Sequence, residues 1–273
     1  MAVRTPEKGE QARDGILAAH PDAQLDVRRL DLADQASVRE FADGLLADGT
    51  PVDLLLNNAG VMAVPTRMTT VDGFELQLAS NFLDPFALTN RLLPLLLAAP
   101  APRVTTMSSG LANRGRIRFD DLQHERHYNP TLTYAQSKLA DLLLSQHLAR
   151  VATARGWTLV SNASHPGFTR TNLQTSGPNL GRENRGRGLF ERLGDLLPSQ
   201  LPEQGAEPLL FAATDPSAGN GAYYAPSRWF ELVGPAGPAR MPARGKDADL
   251  AARLWTAAEQ LTGTALPVPA GRA

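Results

Sequence analysis

Hydrophobic positions along this chain fall into two kinds of run, long ones at helical spacing and short compact ones, and the two kinds alternate. The pattern predicts a helix over 6–19, a strand around 24–30 and a second helix over 37–47. Residues 52–56 form a compact apolar run of the sort that makes a buried parallel strand, and it leads into Asn57, Asn58, Ala59 and Gly60. A long helix is expected over 71–98, then a strand over 103–107 that ends in Ser108 and Ser109. Further on, 131–154 reads as a helix and 157–163 as a strand running toward His165, Pro166 and Gly167. A helix over 205–213, a short strand over 222–224 and a last helix over 247–261 complete the alternation. The stretch 174–204 is rich in Gly, Pro and Arg and reads as an excursion with a short helix at 189–197.

Strands alternating with long helices argue for an α/β layered fold around a parallel sheet, in one domain over 1–273. In such sheets ligands bind beyond the carboxyl ends of the strands. Asn58 to Gly60, Ser108 to Ser109 and Pro166 to Gly167 all fall at ends of that kind, and their convergence on one edge would make a site.

Composition narrows the field. Apolar residues make up 42% and charged residues 20% of the chain, an ordinary globular balance. A formal charge of -1 gives no global reason to expect nucleic acid, and Arg182, Arg185 and Arg187 are read as a solvated loop. The absence of cysteine excludes disulfides and thiolate chemistry and suits a reducing cytoplasm, and no metal cluster is expected. The polar first residues do not read as a secretory signal, and no apolar run is long enough to span a bilayer.

Candidate chemistry centres on Tyr134 and Lys138, four apart and so on one helical face. A phenol with a reference pKa of about 10 is a weak acid-base group at neutral pH, and a neighbouring ammonium favours its ionised form. Such a pair also occurs as simple decoration of a helix, so its surroundings decide. Ser109, at a strand end, can donate to a carbonyl oxygen. Asn81 lies among Leu78, Phe82 and Leu83, where a buried amide needs partners; a water chain to the lysine would supply them.

In order and spacing, Asn57-Asn58-Ala59-Gly60, Asn81, Ser109, Tyr134-x-x-x-Lys138 and Pro166-Gly167 resemble the motif series of the short-chain dehydrogenase/reductase family. Phe119-Asp120-Asp121-Leu122, Gln136-Ser137-Lys138-Leu139-Ala140, Gly221-Ala222-Tyr223-Tyr224-Ala225-Pro226, Leu254-Trp255 and Leu261-Thr262-Gly263 resemble its retinol-dehydrogenase-like branch. The likeness covers almost the whole chain. It implies a Rossmann-type doubly wound parallel sheet and an NAD(P)-dependent oxidoreductase that interconverts an alcohol and a carbonyl. The substrate implied is a bulky, hydrophobic small molecule, with 174–204 as its lid.

The resemblance also implies roles. Tyr134 exchanges a proton with the substrate oxygen, Lys138 lowers the tyrosine pKa and holds the nicotinamide ribose, Ser109 orients the carbonyl, and Asn81 holds a relay water. Asn58, Ala59 and Gly60 lie by the adenosine, and Pro166, Gly167, Thr169 and Thr171 by the carboxamide. Asp31 and Leu32 match a pair that contacts adenine, although Asp31 also suits a helix N-terminal cap. Arg4 matches a basic position that binds the 2′-phosphate of NADP, in preference to NAD, although it also reads as a surface arginine. A homo-oligomer is compatible with the family.

The family's glycine-rich phosphate turn has no counterpart in this sequence. The expectation is a sheet truncated at its N-terminus, without the first strand, the first helix and most of the second strand. A gap of roughly 14 Å is then expected, since strands lie about 4.8 Å apart. A non-catalytic remnant unable to bind the dinucleotide is the alternative reading.

Overall fold

The computed structural model describes residues 1–169, 180 and 198–267. Thr171, the helix expected at 189–197 and most of the 174–204 stretch lie outside the described residues.

The chain opens with β1 (Ala2–Val3), α1 (Pro6–Ala19), β2 (Arg28–Arg29) and α2 (Gln35–Asp48). Pro6 stands at the start of α1, where its missing N–H leaves no helical bond unmade. Asp34 caps α2 by accepting from the Ala36 N–H, and Gly49 ends it in the left-handed conformation. β1 and β2 pair in parallel as a two-stranded ribbon of their own. The strand expected over 24–30 is therefore cut to two residues, because its partner is itself only two residues long. Flanking bonds from the Arg28 N–H to the Met1 carbonyl and from the Leu30 N–H to the Val3 carbonyl extend the ladder at both ends.

Among the described residues the main sheet has five strands: β3 (Leu54–Asn57), β4 (Arg103–Met107), β5 (Val160–Ser164), β6 (Tyr223–Arg228) and β7 (Val233–Pro238), in that spatial order. Its first four strands are parallel, while β7 returns antiparallel to β6 through a tight connection that the sequence reading did not anticipate. Among the described residues β3 is bonded to β4 alone, so its other edge is open, and Leu54 and Leu56 are 43% and 39% exposed. Among the described residues no ladder joins the two sheets.

Neighbouring residues of β5 show how the layers are arranged. Ser161 donates to the Ser145 carbonyl of α5 (Pro130–Arg155), while Asn162 donates to the Ala212 carbonyl of α6 (Pro202–Thr214). Successive strand residues point to opposite faces, so α5 and α6 cover opposite sides of the sheet. The main core lies on the α5 side, where Leu139, Leu142, Leu143 and Leu148 meet Phe82, Phe86 and Leu92. Leu254 and Trp255 of α7 (Ala248–Thr262) close it, with Trp255 edge-on to Phe86.

The helix expected over 71–98 begins later and is not uniform. Thr70 to Phe74 close a turn through Gly73, whose φ of 84° suits glycine, so Val71 stands in solvent instead of opening a helix. Glu75 then caps α3 (Leu76–Leu78), which passes through a π-helical segment, Ala79–Leu83, into α4 (Asp84–Ala98).

Candidate active site

The parallel register aligns the strand ends. Asn57 pairs with Thr106, and Met107 pairs with Ser164, so the segments that follow β3, β4 and β5 leave the sheet on one edge. Asn57 is buried and donates to Thr89 on α4, which makes it structural, whereas Asn58 and Ala59 are exposed beyond the strand.

Across that edge lies the start of α5. Asn129 caps this helix by accepting from the Thr131 and Leu132 N–H groups, and Pro130 takes the first position. Tyr134 and Lys138 are then one turn apart and both buried, with the Lys138 ammonium 5.9 Å from the Tyr134 ring centre. Ser109 lies two residues beyond β4, where its hydroxyl is placed to pull down the Tyr134 phenol pKa. Ser108 beside it donates to the Lys138 carbonyl at 2.7 Å, which fastens α5 to the end of β4. Ser109, Tyr134 and Lys138, expected together from the sequence, do meet.

Their electrostatics differ from the expectation. Burial drives the Tyr134 phenol above its ordinary pKa, outweighing the Lys138 ammonium and the Ser109 hydrogen bond that pull it down. Lys138 thus acts in the expected direction, but burial outweighs it. Burial also opposes the charge on Lys138, but Asp141 and Tyr134 reverse that and hold its pKa above the usual value. The Lys138 Nζ donates to the Asp141 Oδ2 at 2.7 Å and to the Met107 carbonyl at 2.9 Å. Asp141 was missed by the sequence reading. The available signal was an acid one turn from the lysine, at i+3, on a helix otherwise packed with leucines.

Asn81 sits in the π-helical segment and is 2% exposed. Its Oδ1 accepts from the Val61 N–H at 2.8 Å, and its Nδ2 donates to the Val61 carbonyl at 3.0 Å and to Ser137 Oγ at 2.8 Å. The amide is thus satisfied directly by protein partners. Gly60 completes the cluster: a Cβ there would stand 2.8 Å from the Asn81 Oδ1 and 3.6 Å from the Lys138 Nζ, so the loop after β3 comes in close only because it has no side chain.

On the β5 side, Pro166 and Gly167 are braced from two directions. The Pro166 carbonyl accepts from Thr169 Oγ1 and from Gln200 Nε2, at 2.6 and 2.9 Å. Gly167 has φ 65°, and a Cβ there would lie 2.3 Å from the Leu232 carbonyl oxygen. His165 links the same end to the β6–β7 turn through Glu231 at 3.1 Å. The sequence reading gave no role to Gln200 or Glu231.

The remaining expected contacts lie apart. Arg4 is exposed just after β1, and among the described residues no ion pair engages it. The Asp31 Oδ1 accepts from the Ala33 N–H, while the α2 cap is Asp34, so Asp31 shapes the approach to the helix without capping it. Leu32 packs against the core. No hydrogen bond or ion pair ties these three to the Tyr134 cluster among the described residues.

A dinucleotide can be tested against this arrangement end by end. At the nicotinamide end the residues fit: two of the three Lys138 N–H donors are committed, which leaves one for a ribose hydroxyl, and Gly60 admits close backbone approach. At the phosphate end the sequence contains no Thr-Gly-x-x-x-Gly-x-Gly turn to wrap a pyrophosphate.

Comparison with known proteins agrees with this geometry. The family described as short chain dehydrogenase matches residues 1–179. Retinol dehydrogenase 14 of Mus musculus is 36% identical over 244 residues, covering 89% of this chain and 68% of that protein. The crystal structure of an uncharacterized protein from Mycobacterium Paratuberculosis is 40% identical with a TM-score of 0.77, over 98% of this chain and 85% of that one. A blue fluorescent protein from a metagenomic library, solved in complex with NADPH, is 25% identical with a TM-score of 0.57, over 81% of this chain and 83% of that one. Among the described residues no helix is long and apolar enough to cross a membrane. The chain belongs to the short-chain dehydrogenase family of NAD(P)-dependent oxidoreductases and is retinol-dehydrogenase-like within it.

Proposed function

We propose that this protein interconverts an alcohol and a carbonyl on a bulky hydrophobic small molecule, with NADP preferred over NAD and a cytoplasmic site of action. The observation that carries this reading is the meeting of Ser109, Tyr134 and Lys138 at the carboxyl end of β4. When bound, the nicotinamide supplies or accepts the hydride. Ser109 donates a hydrogen bond to the substrate oxygen, and Tyr134 gives that oxygen its proton or takes it away. Lys138 offers its uncommitted N–H to the cofactor ribose and keeps a positive charge beside the phenol. Asn81 fixes the loop after β3 through Val61, and Asn58 to Gly60 border the cofactor there. Pro166, Gly167 and Thr169 border the carboxamide. Arg4 suits a 2′-phosphate, and Asp31 and Leu32 an adenine.

Apolar substrate chemistry has its own support. The turn between β6 and β7 presents Trp229 and Phe230, 66% and 96% exposed, next to the Glu231 that bonds His165 at the end of β5. Two open aromatic faces beside the reacting edge suit a hydrophobic molecule better than a sugar or an acid.

One observation favours a second reading, a non-catalytic member of the family. The sheet is divided between β2 and β3, and the sequence carries no glycine-rich turn. On that reading the protein shows no NADPH binding in a fluorescence titration. The deciding experiment pairs this titration with reduction of hydrophobic aldehydes by NADPH and NADH in wild type and Tyr134→Phe. The enzyme reading requires turnover that Tyr134→Phe abolishes with NADPH affinity largely kept. Turnover that survives in Tyr134→Phe removes Tyr134 from its role.

A further inference from the structure

We propose that Asp141 is a positioning residue for Lys138: its carboxylate keeps the buried ammonium charged and aimed along the face of α5 that carries Tyr134. The inference rests on the reading of Tyr134 and Lys138 as the proton-transfer pair, and adds a third member that acts through the lysine.

The geometry is specific. The Asp141 Oδ2 lies 2.7 Å from the Lys138 Nζ, one turn along α5, with the two side chains 0% and 5% exposed. The other carboxylate oxygen, Oδ1, has no hydrogen-bond partner among the described residues. A buried ion pair with an unsatisfied oxygen is a poor way to stabilise a core, since apolar side chains of similar volume commonly do as well or better. Stability alone therefore does not account for an acid here.

What the acid does for the lysine is direct. An isolated ammonium in this position would shed its proton, because burial disfavours charge. Without Asp141 its remaining fixed partner is the Met107 carbonyl, a neutral acceptor. With Asp141 the Nζ is held between β4 and α5, its third N–H left over. Among the described residues the titratable groups coupled to the pair are Tyr134 and Tyr223. Tyr134 lies on the same helix, and Tyr223 of β6, hydrogen-bonded to Ser108, feels both Tyr134 and Asp141. Behind Tyr223 stand His165, 5.4 Å from it ring to ring, and Glu231. Burial pushes the Asp141 carboxyl up to about 7 even beside Lys138. The ion pair thus loosens within the neutral range.

Three lysines in the whole sequence, Lys8, Lys138 and Lys246, make the test tractable. The apo protein is labelled with ¹³C at lysine Cε, the three signals are assigned with Lys8→Arg and Lys246→Arg, and each is followed against pH by NMR. In wild type the Lys138 signal stays that of an ammonium to the highest pH at which the fold persists. It also shows a second, smaller inflection near neutral pH as Asp141 takes a proton. In Asp141→Asn, which keeps the shape and loses the charge, the Lys138 protonation equilibrium falls at least tenfold, about one pH unit. An unchanged Lys138 titration in Asp141→Asn overturns the proposal. If Asp141→Asn does not fold, a wild-type Lys138 signal that loses its ammonium character below the ordinary lysine range overturns it equally. No turnover is needed for either reading, so loss of this inference leaves the role of Tyr134 standing, and loss of turnover leaves this one standing.

Discussion

Asn81 donates to Ser137 at 2.8 Å, and the same serine donates to the Tyr134 carbonyl at 2.8 Å, so the π-helical segment and the first turns of α5 are bound to each other through one amide. Two further bonds, one given to the Val61 carbonyl and one accepted from the Val61 N–H, bring in the loop after β3. Asn81→Ala strands the half-buried N–H and C=O of Val61 and is expected to cost about 2 kcal/mol, against about 1 kcal/mol for Ser137→Ala. Because the two side chains touch, the double variant should lose less than the sum of the singles. Urea unfolding of all three proteins checks this, and strict additivity would count against the contact.

Much of this arrangement was legible beforehand. The helix over 6–19 and the strand over 103–107 were read with the bounds they have, because a proline start and a run of buried strand residues are local signals. Ser109, Tyr134 and Lys138 were legible because their spacing in the chain matches a known series. β7 was not, since Val233–Pro238 is made largely of glycine and proline and reads as a loop; pairing with β6 at the sheet's margin overrides that composition. Nor was the π-helical register around Asn81 legible, because one extra residue in a helical turn leaves no mark on hydrophobic periodicity. Asp141 stayed hidden for a related reason: a lone acid on a helix is read as solvent-facing until the fold shows both its faces buried.

Asp84 gives a pH-dependent prediction. It is 1% exposed at the start of α4; its Oδ1 accepts from Gln35, and its Oδ2 has no partner among the described residues. Burial pushes its carboxyl up to about 8, and the nearby Asp72, Asp31 and Asp34 push the same way. In the unfolded chain the group ionises near its reference value of 3.8. The folded state therefore binds the extra proton, so stability is highest below the unfolded pKa and declines as pH rises from about 4 to about 8, then levels off. Asp84→Asn keeps an acceptor for Gln35 and removes the titration. Its stability should match wild type near the acid end and exceed it above about pH 8. Parallel melting curves that keep the same separation at every pH would contradict this.

Gly167 should tolerate no side chain. Its φ of 65° costs an L-residue about 1–2 kcal/mol by itself. The added Cβ would also stand 2.3 Å from the Leu232 carbonyl, which already accepts the Phe168 N–H. Gly167→Ala is expected to lower the thermal midpoint and to loosen the Pro166 segment from the β6–β7 turn. Faster amide exchange at Phe168, measured with the midpoint, reads out the second effect. A variant that melts like wild type with Phe168 equally protected would show that the turn gives way easily.

The open side of β3 predicts association. Leu54 and Leu56 point to the same face and are 43% and 39% exposed, and no strand covers that edge among the described residues. An uncovered parallel edge with apolar side chains invites another chain to add a strand, and a lysine on such an edge opposes it, because burying the ammonium against a second sheet is unfavourable. Leu56→Lys should therefore reduce self-association, with stability changed by no more than about 0.5 kcal/mol, as at other partly exposed positions. Light scattering across a concentration series, with unfolding curves alongside, separates the two quantities. If association persists at the wild-type level while stability is unchanged, the contact lies elsewhere on the molecule. The aromatic pair Trp229 and Phe230 is the next surface to alter.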